Sequence, residues 1–339
     1  MSPSLTIGVV LLACLGTAWA LWTPDLRRSS LLAKYRVDGD RDVDVAGIRL
    51  FVRDVGLRSA PPVVLLHGFG ASLQSWDGWA QQLAATHRVI CFDLPGFGLT
   101  GRDPSGRYSV ERGLEVLLAL LVRLGLERID LVGHSLGGHY AWAFAARYPQ
   151  RVRRLVLVAP DGFDDTKFVT SHLPALAPLI RHVMPKFLIW VDLAVCYGAP
   201  GRLTGAIVTR YSDMLRAPGV RAALLARWSQ IRYVDPRPGL ARVRTPTLIV
   251  WGTRDRILPP SQAQRYAALV AGSSIRWIEG VGHLPQEEAP LESAAPVVEF
   301  LCAAADGSGD GGAACWPHAE HHADIPAGFD RRQQPVRRL

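Results

Sequence analysis

The chain has 339 residues, 49% of them hydrophobic, enough for one large α/β domain with an inserted subdomain and a sizeable core. Its net charge of +8 is spread along the sequence, and no interleaved basic–aromatic pattern marks a nucleic-acid surface. The five cysteines, Cys14, Cys91, Cys196, Cys302 and Cys315, are far apart and odd in number, and no C-x-x-C or Cys/His ligand spacing occurs.

Residues 5–22 carry no charge, and a run of about 18 such residues is long enough to span a bilayer. Ala18-Trp19-Ala20 also has the A-x-A form of a signal-peptidase site. No Lys or Arg precedes the apolar stretch, whereas Arg27, Arg28, Lys34 and Arg36 follow it. The positive-inside rule then favours a retained single-pass anchor with the following domain on the cytoplasmic side. Export after cleavage near Ala20 is the alternative. A buried core helix is disfavoured, because the domain read below needs nothing N-terminal to residue 40.

Residues 43–58 read as an opening hairpin, with Val43, Val45, Ile48, Leu50 and Val52 alternating around Gly47. A core strand at 63–67 runs into His67-Gly68-Phe69-Gly70. A helix over 76–85 and a second core strand at 88–92 follow, then the loop Asp93-Leu94-Pro95-Gly96-Phe97-Gly98. Residues 110–124 form an apolar-periodic helix. The apolar run Ile129-Asp130-Leu131-Val132 ends in Gly133-His134-Ser135-Leu136-Gly137, and a helix is expected over 138–146. The next strand, 155–159, ends at Pro160-Asp161-Gly162.

From 163 to 238 the strand rhythm gives way to helical apolar patterns broken by Pro174, Pro178, Pro185, Pro200 and Pro218. Leu173, Leu176, Leu179, Ile180 and the run Phe187-Leu188-Ile189-Trp190-Val191 would give this insertion an apolar underside. They serve either to pack it on the main domain or to line an acyl or aromatic pocket. Strands resume at 246–251 and 275–279, each followed by a loop, the first carrying Asp255 and the second His283. A closing helix spans about 290–302. Residues 303–339 read as a mostly disordered tail. Cys315, His318, His321 and His322 lie there without a second structured ligand pair, so no metal site is expected. Arg331, Arg332, Arg337 and Arg338 read as a solvated tail, with contact to an anionic membrane as the alternative.

G-x-S-x-G between a strand and a helix is a nucleophile arrangement. A sharp turn lifts the serine hydroxyl clear of the backbone, and the helix N-terminus aims amides at the same point. A serine needs a base, so His283 would take its proton, and Asp255 would orient and stabilise the imidazolium. Asp161, after the preceding strand, is the rival acid. The backbone N–H groups of Phe69 and Leu136 would bind the tetrahedral oxyanion, each donor worth roughly 3–4 kcal/mol of barrier. His67 reads as a brace for its loop rather than a chemical group.

These motifs, Trp251-Gly252 before Asp255 among them, resemble the α/β-hydrolase superfamily over residues 40–302, in its serine-nucleophile branch. The core would comprise 40–162 and 239–302, with a helical cap at 163–238. Together with Leu21-Trp22-Thr23-Pro24-Asp25 they are similar to bacterial membrane-anchored lipases and esterases and to monoacylglycerol-lipase-like hydrolases. The resemblance implies a mostly parallel sheet flanked by helices, no metal and no organic cofactor. The expected activity is hydrolysis of a carboxylic ester, with a hydrophobic, lipid-derived acyl group favoured by the apolar cap and the membrane segment. A carbon–carbon bond hydrolase of ring-fission diketones uses the same residues, and cap arginines such as Arg181 or Arg210 would meet its substrate's carboxylate. A non-catalytic binding protein of the same fold is the reading outside enzymology.

Overall fold

A computed structural model describes residues 21–163, 177–230 and 232–303. Most of the apolar N-terminal segment, the cap positions Leu173 and Leu176, and the tail with its Cys/His and arginine clusters lie outside the described residues.

Eight strands form one sheet: β1 (Asp40–Val45), β2 (Ile48–Val55), β3 (Pro62–Leu66), β4 (Arg88–Phe92), β5 (Ile129–His134), β6 (Val152–Val158), β7 (Thr247–Gly252) and β8 (Ser274–Ile278). Their spatial order is β1-β2-β4-β3-β5-β6-β7-β8. β1 and β2 pair antiparallel as the hairpin expected around Gly47, and β2 is antiparallel to β4. Every other pairing is parallel. This is the α/β-hydrolase fold. Strands β5 and β7 are buried along their whole length, because helices cover both faces of the sheet. That is why they read as unbroken apolar runs. The edge strand β8 is largely exposed.

The chain runs from β3 outward to β4, then returns through the helix Val110–Arg123 to β5 on the other side of β3. The loops after β3 and β5 therefore leave the sheet as neighbours, with Leu66 in register with Gly133. An open α/β sheet binds ligands at such a reversal point. The loops after β6, β7 and β8 emerge at the same edge.

Between β6 and β7 the described part of the cap comprises the helices Lys186–Cys196, Gly205–Leu215 and Val220–Gln230, with a 3-10 turn at Ala177–Arg181. Arg227 fixes the third helix to the core. Its guanidinium donates to the carbonyl of Pro95 (2.7 Å) and to the hydroxyl of Tyr140 (2.7 Å), and it stacks 4.9 Å over Phe97.

The structure corrects the expectation that nothing before residue 40 is needed. Residues 22–35 are built into the cap. Trp22 bridges to Val183 and stacks on His182 at 4.7 Å, and the Thr23 amide donates to the His182 carbonyl at 2.7 Å. Asp25 pairs with the buried Arg221, and Tyr35 and Lys34 both bond Asp213. An unanticipated helix, Arg28–Tyr35, carries the last two. Its weak amphipathicity and single buried residue, Leu31, leave almost no apolar period to read.

Gly137 holds the first turn of the helix Leu136–Arg147 against β3. A Cβ there would lie 2.2 Å from the carbonyl oxygen of Leu66 and 2.6 Å from that of His67. Neither backbone atom can retreat without disturbing the sheet. Gly137→Ala should therefore lower stability by about 1–3 kcal/mol, the range for overpacked sites. Gly201→Ala, where the space is open, should stay within about 0.5 kcal/mol. Urea denaturation of the two variants beside the native chain checks the pair.

Candidate active site

Ser135 stands between β5 and the helix Leu136–Arg147 at φ 50° and ψ −115°, a left-handed conformation for a residue with a side chain. Such a backbone costs on the order of 1–3 kcal/mol and persists only where its surroundings impose it. Three hydrogen bonds do so. The Ser135 amide donates to the Val158 carbonyl, and the Ser135 carbonyl accepts from the amides of His139 and Asp161, each at 3.0 Å. Gly133 leaves room for the turn, since a Cβ there would sit 2.2 Å from the Gly137 carbonyl oxygen.

Asp255 follows β7 and is buried, accepting on Oδ1 from the amides of Ile257 (2.8 Å) and Leu258 (2.9 Å). Its Oδ2 lies 2.8 Å from Nδ1 of His283, in the loop after β8. A carboxylate only accepts, so Nδ1 carries the proton and Nε2 keeps the basic lone pair. Of the two acids weighed from the sequence, Asp255 therefore meets His283. Asp161 bonds the Ser135 carbonyl through its own amide.

The serine turn and the histidine loop are joined one residue before Ser135. The ring of His134 lies 4.8 Å from that of His283, and its Nε2 donates to the His283 carbonyl at 2.8 Å. Burial and the neighbouring imidazole hold His134 well below the usual histidine range, so it is a neutral strut. Nδ1 of His134 is buried and faces Gly68, where a Cβ would approach within 2.6 Å. That contact explains the glycine and brings the Gly68-Phe69 loop beside Ser135, whose Cβ would lie 3.2 Å from a Cβ at Gly68. Phe69 and Leu136 thus belong to the two segments beside the serine. Neither takes part in the backbone hydrogen bonds of the loops and caps among the described residues. Leu136 opens its helix, where amides lack an intrahelical acceptor.

His67 is a brace. Its Nδ1 donates to the Gly68 carbonyl at 2.8 Å, and its Nε2 accepts from the Leu94 amide at 2.9 Å. Next to it Asp93 accepts from the amides of Leu73 (2.7 Å) and Leu99 (2.6 Å), and burial pushes its carboxyl up to about 7. Burial also brings His67 down to about 4.

Two acids absent from the sequence reading complete the site. Glu288 is buried and accepts from the amides of Gly198 (3.0 Å), Ala199 (2.7 Å) and Gly282 (2.8 Å). The His283 amide in turn donates to the Cys196 carbonyl at 2.7 Å. The end of the cap helix and the histidine loop are therefore one hydrogen-bonded unit. Glu287 accepts from the Tyr211 hydroxyl at 2.7 Å and pairs with Arg210, which also donates to the Gln74 carbonyl at 3.2 Å. Glu-Glu after Leu-Pro-Gln reads as solvated surface in a linear sequence. Only the short helix Pro285–Glu288 turns both acids inward.

The cap helix Lys186–Cys196 has three faces by its spacing. Ile189 and Leu193, with Cys196 beside them, pack inward. Leu188, Asp192 and Val195 share a second face. Asp192 is exposed, yet desolvation by its neighbours raises its carboxyl, and His283 opposes that shift. Phe187, Trp190 and Val191 share the third face, and all are exposed.

Sheet order, serine turn and histidine loop define an α/β hydrolase. Residues 63–297 match the alpha/beta hydrolase family, and the chain belongs to it. A 2-hydroxy-6-oxo-2,4-heptadienoate hydrolase of Pseudomonas putida is 33% identical over 277 residues, 78% of this chain and 96% of that protein. Monoacylglycerol lipase ABHD6 of Bos taurus is 28% identical over 258 residues, 71% and 75% of the two chains. A solved structure of a membrane phospholipase A, described as a bacterial virulence factor, superposes with a TM-score of 0.69 at 27% identity, covering 88% of this chain and 97% of that one.

Two outcomes follow from the buried groups. In the fold His67 binds a proton only below about pH 4, whereas unfolded it binds one below 6.5. Its contribution is therefore fully present above pH 6.5 and is lost as pH falls toward 4, by up to about 1.4 kcal/mol per pH unit. The stability advantage of the native chain over His67→Gln should shrink between pH 7 and 5 in denaturant titrations. Glu288→Gln replaces one acceptor oxygen by a donor facing backbone N–H groups, and should cost about 1–3 kcal/mol in the same assay.

Proposed function

We propose that this chain is a serine hydrolase that cleaves carboxylic esters with a hydrophobic acyl group. The observation that carries the reading is the buried Asp255–His283 hydrogen bond, joined through His134 to the strained turn that presents Ser135. Ser135 Oγ attacks the ester carbonyl as Nε2 of His283 takes its proton. Asp255 holds the tautomer and stabilises the imidazolium. The amides of Phe69 and Leu136 bind the oxyanion that forms. Collapse expels the alcohol, which receives its proton from His283. Water, deprotonated by the same nitrogen, then attacks the acyl-enzyme and releases the acid. No step calls for a metal or an organic cofactor.

The face of the cap helix that carries Asp192 supports an apolar, uncharged acyl chain. Leu188 and Val195 flank that acid on the helix, and both are apolar and exposed. Other relatives favour a second reading. The P. putida relative is a hydrolase of a dienoate, and such a carbon–carbon substrate brings a carboxylate. The cap arginines give that group little. Arg210 is committed to Glu287 and the Gln74 carbonyl, and Arg181 is exposed. The lipase and phospholipase relatives agree with the ester reading.

We further propose that residues 5–22 form a single-pass anchor with the hydrolase domain on the cytoplasmic side. This rests on the uncharged sequence and the basic residues after it. Among the described residues no helix is long and apolar enough to cross a membrane.

The test is turnover of p-nitrophenyl esters from acetate to palmitate, beside a 2-hydroxy-6-oxo-dienoate, by the native chain and Ser135→Ala. Ester turnover that rises with acyl length and is lost in the variant is expected. Cleavage of the dienoate with little ester turnover would instead establish the carbon–carbon reading. A folded chain with no turnover and no fluorophosphonate labelling would leave a binding protein.

A further inference from the structure

The exposed large apolar side chains are unevenly placed. Seven of the fourteen among the described residues, Trp22, Leu179, Phe187, Leu188, Trp190, Val191 and Val195, belong to the first part of the cap or are bridged to it. Each is 44–59% exposed. Water penalises a cluster of this kind, so it marks a surface with a partner.

Three observations decide what the partner is. The first is continuity. The uncharged residues 5–20 run directly into Trp22, which bridges to Val183 and stacks on His182 three residues before the cap helix begins after Pro185. The place where the chain leaves the proposed anchor is thus fixed to the cap. The second is the helix itself. Phe187, Trp190 and Val191 occupy one exposed stripe, distinct from the inward residues Ile189 and Leu193, as in a helix that lies in a membrane interface. Tryptophan concentrates at that level of a bilayer. The third is charge. Between residues 177 and 203 the basic residues are Arg181, Lys186 and Arg202, all exposed, and the sole acid is Asp192. The rim of the apolar stripe is therefore cationic.

We propose that the outer face of the cap helix, Phe187, Trp190 and Val191 with Leu179 and Trp22, docks on an anionic lipid bilayer. The end of the same helix holds the His283 amide through the Cys196 carbonyl, so docking brings the bilayer surface next to the histidine loop. The inference extends the anchoring reading above and does not depend on the ester chemistry.

The full chain, reconstituted in phosphatidylcholine–phosphatidylglycerol vesicles with brominated acyl chains, provides the test. The emission of Trp190 is the difference between native protein and Trp190→Phe. Docking predicts that bromolipid quenches this difference emission and that the quenching weakens when phosphatidylglycerol is omitted. It predicts loss of that quenching in a Phe187→Ser/Val191→Ser variant, whose hydrolysis of a soluble short-chain ester stays unchanged. Difference emission that bromolipid leaves intact, in protein that still sediments with the vesicles, overturns the proposal while sparing the anchor. Difference emission that shifts to the blue with protein concentration in lipid-free detergent overturns it too, because a second copy of the chain would then cover the face. Absence of ester turnover would count against the proposed chemistry and leave the quenching result standing.

Discussion

Ser135 is held at a positive φ by bonds from β6, from its own helix and from the loop after β6. The rest of the site depends on that constraint. A side chain in this conformation is unfavourable by itself, so the surroundings must over-determine it. They do so by close approach. Gly133 and Gly137 let the turn fold onto itself and onto the carbonyls at the end of β3, and Gly68 admits the ring of His134. The parallel order places β3, β5 and β6 side by side, so all the groups that enforce the turn come from one edge of the sheet.

The histidine loop is positioned through different contacts. His134 reaches it from the serine side, while Glu288 and the Cys196 carbonyl reach it from the cap. One buried carboxylate serves three amides, two on the cap and one on the loop. Displacing the end of the cap helix would therefore disturb the His283 backbone. That coupling gives the cap a role in setting the base as well as in covering the substrate. The N-terminal residues extend the same unit, since Asp25, Lys34 and Tyr35 tie the start of the domain to cap residues Arg221 and Asp213.

The cap helix has opposed demands on its faces. One packs through Ile189 and Leu193, one carries Asp192 between Leu188 and Val195, and one leaves aromatic and aliphatic side chains in solvent. Its sequence is apolar nearly all round, which in isolation describes a buried helix. It is instead among the least covered elements. For a hydrolase whose proposed substrate resides in a lipid phase, this exposure is consistent with the chemistry.

Much of the architecture was legible in the sequence. The buried parallel strands are continuous apolar runs, and glycine-rich turns follow β3 and β5. The candidate residues Ser135, Asp255 and His283 each follow a strand in the order that the fold requires. Such features are local, because a strand end and the turn beyond it are set by adjacent residues. What lay beyond the sequence is of another kind. The inward turn of Glu287 and Glu288, the commitment of Arg210 and the docking of residues 22–35 on the cap all join residues far apart in the chain. A charged side chain looks the same in a sequence whether solvated or paired, and burial and partner are properties of the packed fold. The sequence by itself determined the fold and the candidate chemistry. Only the tertiary structure decided which acids are structural, which face of the cap helix packs inward and which stays in solvent, because those follow from contacts that exist only once the chain has closed on itself.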